Sequence, residues 1–156
     1  MNKEQELSSQ GNILVVDDKP ENLRLLSTLL SERGYQCRAV LNGPMALRAV
    51  QTKAPDLVLL DIMMPQMDGY EVCQKLKEDQ KTREIPVIFL SAKDEVFDKI
   101  KAFTLGAVDY ISKPFQVEEV LARIENQLVL RRLQMQLKEQ NVLLQQEINS
   151  RLAVEK

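Results

Sequence analysis

Short apolar runs alternate with amphipathic stretches along most of the chain. The apolar runs predict five β-strands, at 13–16, 36–41, 56–60, 86–90 and 109–112. Between them, aliphatic residues recur at helical spacing, and Val96, Ile100 and Phe103 predict the fourth of these helices, ending at Gly106. Strands that alternate with helices predict right-handed βαβ units and a parallel sheet covered on both faces. We therefore expect an α/β fold with a five-stranded, doubly wound sheet.

Polar and ionisable side chains stand at the carboxyl ends of four of these strands. Asp17 and Asp18 follow the first strand and Asp61 the third, while Ser91 and Lys113 end the fourth and fifth. Because open parallel sheets bind ligands beyond the carboxyl ends of their strands, we expect these side chains to meet on one rim. Three close carboxylates repel each other unless a cation joins them, and Mg²⁺ prefers oxygen ligands. The pattern predicts a Mg²⁺ and phosphate site.

The segments VVDD, LLDIMMPQMDG, FLSA and DYISKPF together resemble the receiver domain of two-component response regulators. The resemblance runs from about Asn12 to Gln127. It implies a flavodoxin-like fold with strand order 2-1-3-4-5, and phosphorylation on an aspartate.

The resemblance implies a role for each matching residue. Asp61 would accept the phosphoryl group, and Lys113 and Ser91 would contact the phosphoryl oxygens. Asp18 would bind Mg²⁺ directly, and Asp17 would act mainly through a bound water. Asp61 itself would be a further metal ligand.

Three further features follow from the same resemblance. The backbone carbonyl of Met63 would complete the metal ligands. Ser91 and Tyr110 would act as the switch pair. The peptide bond between Lys113 and Pro114 would be cis, which proline makes affordable.

The implied function is that of a phosphorelay receiver. Asp61 would take a phosphoryl group from a phosphohistidine on a histidine kinase or a histidine phosphotransfer protein. The chain contains no histidine, so the donor must lie on another chain or on another part of a longer protein. Such a receiver phosphorylates and dephosphorylates itself rather than turning over a substrate, and small Ala92 would leave the phosphoryl group open to water. The abrupt end at AVEK suggests a piece of a larger regulator.

Each motif alone has a simpler interpretation. The acidic pair could cap a helix, Asp61 could begin a turn, Ser91 could cap the next helix, Lys113 could be solvated and Tyr110 could be a core residue. Their joint occurrence at four strand ends favours the phosphate site. Two other functions stay open. One is a phosphate-independent interaction or dimerisation scaffold with a receiver fold, and the weaker one is an aspartyl phosphatase, which usually needs an acidic residue where Met63 stands.

The C-terminal part of the chain predicts one long helix, because 116–156 contains no glycine or proline. We expect a flexible tail over 1–11, a receiver over 12–127 and a coiled-coil extension over 128–156. Leucine recurs through the extension amid charged and amide residues.

The spacing of these leucines fits a coiled coil only in part. A seven-residue register holds Leu130, Leu133, Leu137 and Leu144, with Gln140 in one position. Ile148 falls out of phase, which indicates a stutter or a frayed end. The preferred hypothesis is a parallel homodimer that passes the receiver's state to an unknown output, and a partly disordered tail is the alternative.

Charge and hydropathy argue against a nucleic-acid or membrane partner. From residue 117 onward, six basic residues balance six acidic ones, so we expect no direct contact with nucleic acid. We also expect no membrane partner, because no apolar stretch approaches the roughly 18 residues of a span. Cys37 and Cys73 are far apart, which favours reduced thiols and a cytoplasmic protein.

Overall fold

The computed structural model describes residues 10–92 and 99–155. Its strands are β1 Asn12–Val16, β2 Gln36–Val40, β3 Leu57–Asp61, β4 Val87–Ser91 and β5 Asp109–Ser112. Its helices are α1 Pro20–Glu32, α2 Gly43–Thr52, α3 Gly69–Glu78, α4 Lys99–Thr104 and α5 Val117–Glu155. The strands form one parallel sheet in the order β2-β1-β3-β4-β5. The predicted α/β fold and strand order are confirmed.

Both faces of the sheet are covered by helices. Alternate residues of β1 and β3 enter two hydrophobic clusters, one shared with α2 and α3 and the other with α1 and α5. Strands buried on both faces need apolar side chains at every position, which explains the uninterrupted runs in β3 and β4. The edge strand β2 is only partly buried.

Two strand boundaries differ from the prediction in a way that matters for the site. β3 and β4 each begin one residue later than expected and include Asp61 and Ser91. The ladder continues through these residues, because Asp61 pairs with Leu90 and Ser91 pairs with Ser112. Both polar side chains are therefore held by strands rather than by loops.

Two expectations fall on residues outside the described ranges. Val96, which the sequence places in the fourth helix, precedes the start of α4 at Lys99, and residues 1–9 of the expected tail are likewise not described.

α5 is a single helix of 39 residues, about 58 Å long at 1.5 Å per residue. Among its described side chains the last buried one is Leu128, which packs in the cluster shared with α1. After it, the described side chains are exposed, apart from the half-buried Arg131. Within the described ranges, no helix combines the length and the apolar character that crossing a bilayer requires.

Candidate functional site

The carboxyl ends of β1 and β3 bring three carboxylates together. Asp17, Asp18 and Asp61 each offer one oxygen that lies within 4.8 Å of the other two. Asp17 is 0% and Asp61 2% exposed, while Asp18 is half-buried. Negative charges buried this closely are unfavourable unless cations or hydrogen-bond donors compensate them.

Lys113 supplies one compensating charge. Its Nζ lies 3.2 Å from Asp61 Oδ1 and 3.3 Å from Asp17 Oδ2. Burial by itself would lower the pKa of Lys113, but the carboxylates of Asp61 and Asp17 outweigh it and raise that pKa above its ordinary value. The ammonium group therefore stays charged between the two carboxylates.

A backbone hydrogen bond at Lys113 connects the end of β5 to the end of β4. The Lys113 N–H donates to the carbonyl of Ser91 at 2.7 Å, and the Lys113–Pro114 peptide bond is cis. Ser91 is buried at the end of β4, the strand next to β3 in the sheet. Ser91 and Lys113 are thus presented at the same rim as the carboxylates.

Asp17 is oriented by two donors at the start of α1. Its Oδ1 accepts from the Lys19 N–H at 3.0 Å and its Oδ2 accepts from Asn22 Nδ2 at 3.0 Å. Asp17 therefore does bind the backbone of the turn, as the simpler interpretation expected, but Lys19 occupies the N-cap position of α1. Asn22 was not predicted. The sequence signal for it is an amide residue in the first turn of a helix, five residues after an aspartate that directly follows a strand.

The site fits a divalent metal ion. Among the described residues, Asp18 Oδ1 is buried and has no hydrogen-bond partner. A buried oxygen without a donor is costly, and a bound cation removes that cost. Carboxylate oxygens are the ligands that Mg²⁺ prefers, usually with waters in the remaining positions. Met63, expected to add a carbonyl, lies two residues beyond β3, and 60% of its surface is exposed.

Gly69 brings the loop after β3 back against Asp61. A Cβ at Gly69 would lie 2.3 Å from the Asp61 carbonyl oxygen and 2.9 Å from Ile62 Cα. The Gly69 N–H donates to the Ile62 carbonyl at 2.7 Å. Only glycine fits so close to another backbone segment. The sequence marks Gly69 as a turn residue, but it does not show that the turn packs on Asp61.

Tyr110 lies apart from the carboxylates. It sits on β5 opposite Phe89, two positions before the pairing of Ser91 with Ser112. Its ring is half-buried, with Lys99 Nζ 5.0 Å from its centroid. The Tyr110 ring thus lies beside Lys99 of α4 and packs against the hydrophobic cluster shared with α2 and α3.

Arg123 of α5 connects this tyrosine to the long helix. Its guanidinium carbon lies 5.9 Å from the Tyr110 ring centroid, and its NH1 forms a 2.7 Å ion pair with Asp109. A displacement of Tyr110 would therefore change its contact with Arg123 of α5. This cluster was not predicted from the sequence, because its members come from three separate elements.

Comparison with known proteins decides the family. The family model for the response regulator receiver domain matches residues 13–125, a range that contains the three carboxylates and Lys113. The chain belongs to the response regulator receiver family. The match ends within α5, before the exposed part of that helix.

The receiver is similar to parts of longer regulators. It is 43% identical over 112 residues to the DNA-binding dual master transcriptional regulator RpaA of Synechocystis sp., covering 72% of this chain and 46% of RpaA. It is 42% identical over 116 residues to the response regulator PleD of Caulobacter vibrioides, covering 74% of this chain and 26% of PleD. The chain thus spans about half or less of the length of these relatives.

Solved receiver structures share the fold. NtrX from Brucella abortus superposes with a TM-score of 0.77 at 30% identity, covering 83% of this chain and 29% of NtrX. The signal receiver domain of a signal transduction histidine kinase from Syntrophus aciditrophicus gives a TM-score of 0.70 at 37% identity, covering 76% of this chain and 90% of that domain.

Proposed function

We propose that Asp61 accepts a phosphoryl group from a phosphohistidine on a partner, either a histidine kinase or a histidine phosphotransfer protein in the cytoplasm. The observation that carries this proposal is the placement of Asp61. It is buried at the end of a central strand, beside two other carboxylates, and its Oδ1 is 3.2 Å from the Lys113 ammonium. A nucleophile held this rigidly beside a fixed positive charge suits phosphoryl transfer, which depends mainly on positioning and electrostatics.

The transfer forms one bond and breaks one. A carboxylate oxygen of Asp61 attacks phosphorus, the phosphorus–nitrogen bond to the donor imidazole breaks, and the imidazole nitrogen takes the bonding pair. Lys113 neutralises charge on the transferring group, and Ser91 donates its hydroxyl to a phosphoryl oxygen. Mg²⁺ bound by Asp17, Asp18, Asp61 and the Met63 carbonyl would supply the remaining positive charge.

The product is an acyl phosphate on Asp61, which water can hydrolyse. Ala92 follows Ser91 and carries only a methyl group. A side chain this small leaves room for water at the phosphoryl group, so the receiver can return to its starting state without a partner.

The signal leaves the site through β5 and α5. Ser91 would turn toward the new oxygens and Tyr110 would move into the space it vacates. Because Tyr110 lies against Lys99 and Arg123, this movement would change the surface of α4, β5 and α5. α5 would carry the change into its exposed extension, which we propose joins two receivers in a homodimer.

The output lies beyond the receiver fold. The name of RpaA describes DNA binding, but the charges from residue 117 onward balance and form no basic stripe. We therefore propose that this chain contacts neither nucleic acid nor membrane itself, and that a partner or a further module provides the output.

Phosphorylation by a small donor tests the proposal. The protein is incubated with Mg²⁺ and acetyl phosphate or phosphoramidate, and its intact mass is measured beside Asp61→Asn and a chelated sample. We expect one phosphoryl adduct that both controls lack. An adduct of equal yield in Asp61→Asn would refute the assignment of Asp61, and no adduct from either donor would favour a phosphate-independent scaffold.

A further inference from the structure

A stripe of exposed aliphatic side chains runs along α5 beyond Leu128. Its six members are between 50% and 59% exposed, namely Leu130, Leu133, Leu137, Leu144, Ile148 and Leu152. Asn141 fills the one gap, and successive positions from 130 to 152 are then separated by three, four, four, three, four and four residues. None of the seven is charged, although charged residues occupy neighbouring positions.

This spacing repeats every eleven residues, at 130, 141 and 152. The eleven-residue spacing includes all six aliphatic residues, whereas the seven-residue register places Gln140 in the seam and leaves Ile148 out of phase. Eleven residues in three turns is about 3.67 per turn, close to the 3.6 of a straight α-helix. The stripe therefore stays on one side of α5 over roughly 33 Å without strong supercoiling.

The remaining exposed apolar residues of this region form no comparable stripe. Met135 and Val142 lie on another side of the helix, and the positions that would join them at helical spacing, Glu139 and Gln146, are polar. Leu143 has only polar residues three and four positions away, and Val129 lies beside the stripe next to Leu133. The pattern thus selects a single face.

Contacts to the receiver anchor α5 on a side that leaves this stripe exposed. The Arg131 guanidinium donates to the backbone carbonyl of Glu84, and Lys138 Nζ lies 3.6 Å from Glu84 Oε1. Glu84 belongs to the loop before β4, which Lys77 also holds by donating to the Ile85 carbonyl at 2.7 Å. These contacts therefore fix the direction in which the first turns of the extension leave the receiver.

We propose that the stripe pairs in parallel and in register with the same stripe of a second copy of this chain, with Asn141 facing Asn141. The inference rests on the proposed role of α5 as the output route. A second copy presents apolar side chains at the same unusual spacing. Its Asn141 amide can also hydrogen-bond the Asn141 amide that the pairing would bury. A single polar position in an apolar seam fixes register and strand number at some cost in stability.

The parallel orientation follows from the upstream end of the stripe. The same eleven-residue spacing continues from Leu130 back to Asn126 and Ala122, which are both exposed. In a parallel pair both receivers lie at the same end of the paired helices, so the positions before Leu130 stay within the pairing surface. An antiparallel pair centred on Asn141 would leave them outside.

Single cysteines test the pairing in the full chain, with Cys37→Ser and Cys73→Ala as background. A disulfide requires Cα atoms within about 7 Å, so Leu144→Cys should form disulfide dimers at least about tenfold faster than Gln146→Cys on the opposite side. Asn141→Cys should react faster than its neighbour Gln140→Cys. Circular dichroism of each reduced variant checks that α5 remains helical.

Each outcome decides the inference. Equal reaction at Leu144→Cys and Gln146→Cys, or a chain that stays monomeric at every position, overturns the pairing. A faster reaction at Gln140→Cys overturns the eleven-residue register. Reaction at Asn141→Cys without reaction at Leu144→Cys indicates an antiparallel pair and overturns the parallel one. The same samples are tested for phosphorylation of Asp61, so loss of pairing with a normal adduct overturns the pairing of α5 and leaves the proposed phosphorylation of Asp61 intact.

Discussion

Replacing Gly69 with alanine tests how tightly the loop after β3 constrains Asp61. The substitution adds one methyl group at the first residue of α3, 2.3 Å from the Asp61 carbonyl oxygen. Helix propensity alone predicts the opposite sign, because alanine is favoured over glycine by up to about 1 kcal/mol in helices. The variant therefore separates local propensity from packing.

The steric effect should be larger. The atoms that the new methyl group would meet belong to the backbone of Asp61 and Ile62, which cannot rotate away. Overpacking of this kind costs about 1–3 kcal/mol, so after the gain in helix propensity the net loss in unfolding free energy should reach about 2 kcal/mol. For a chain of 156 residues each kcal/mol corresponds to about 2–4 °C in Tm. A displaced Asp61 should also slow adduct formation, because a shift of about 1 Å can cost about 100-fold.

Urea unfolding, thermal unfolding and the initial rate of adduct formation measure these effects. Gln74→Ala, on the exposed side of the same helix, is the matched control and should change stability by less than about 0.5 kcal/mol. A Gly69→Ala protein as stable as wild type, with an unchanged rate, would show that the loop does not press on Asp61.

Three further predictions concern charge, metal and pH. Lys113→Met should slow adduct formation by about 100-fold, as removal of one preorganised electrostatic contact does, and unchanged kinetics by intact mass would contradict its role. Mg²⁺ at about 100 times its Kd should raise the unfolding free energy by about 2.7 kcal/mol in wild type, and this gain should be largely absent from Asp18→Asn. Burial chiefly raises the pKa of Cys73 from 9.0 to about 11, so this thiol's contribution to stability is full below pH 9 and is lost between pH 9 and 11. Cys73→Ala should therefore lose less stability than wild type over that range in urea unfolding.

The fold and the rim of the sheet follow from local patterns. Strands buried on both faces need continuous apolar runs, and such runs can be read directly from β1, β3 and β4. Because parallel strands end at one edge, the residues that follow these runs must come together there. We therefore expect Asp17, Asp61 and Lys113 in one site, and the structure shows Lys113 in contact with both carboxylates.

Contacts between distant segments could not be predicted from periodicity. Leu128 belongs to the same leucine series as Leu130, yet it packs in the receiver core while Leu130 is exposed. Helical spacing does not say whether an apolar face is covered by the same chain or by another. The approach of Gly69 to Asp61 depends on how a loop closes, which the order of residues does not reveal.

Locating the phosphoryl group on the chain shows whether Asp61 is the residue that is phosphorylated. Borohydride reduces an acyl phosphate to an alcohol, so treatment of the acetyl phosphate–labelled protein followed by peptide mapping identifies the modified aspartate. We expect reduction at Asp61 alone, dependent on Mg²⁺. Reduction at Asp17 or Asp18, or none in a protein whose mass shows an adduct, would contradict it.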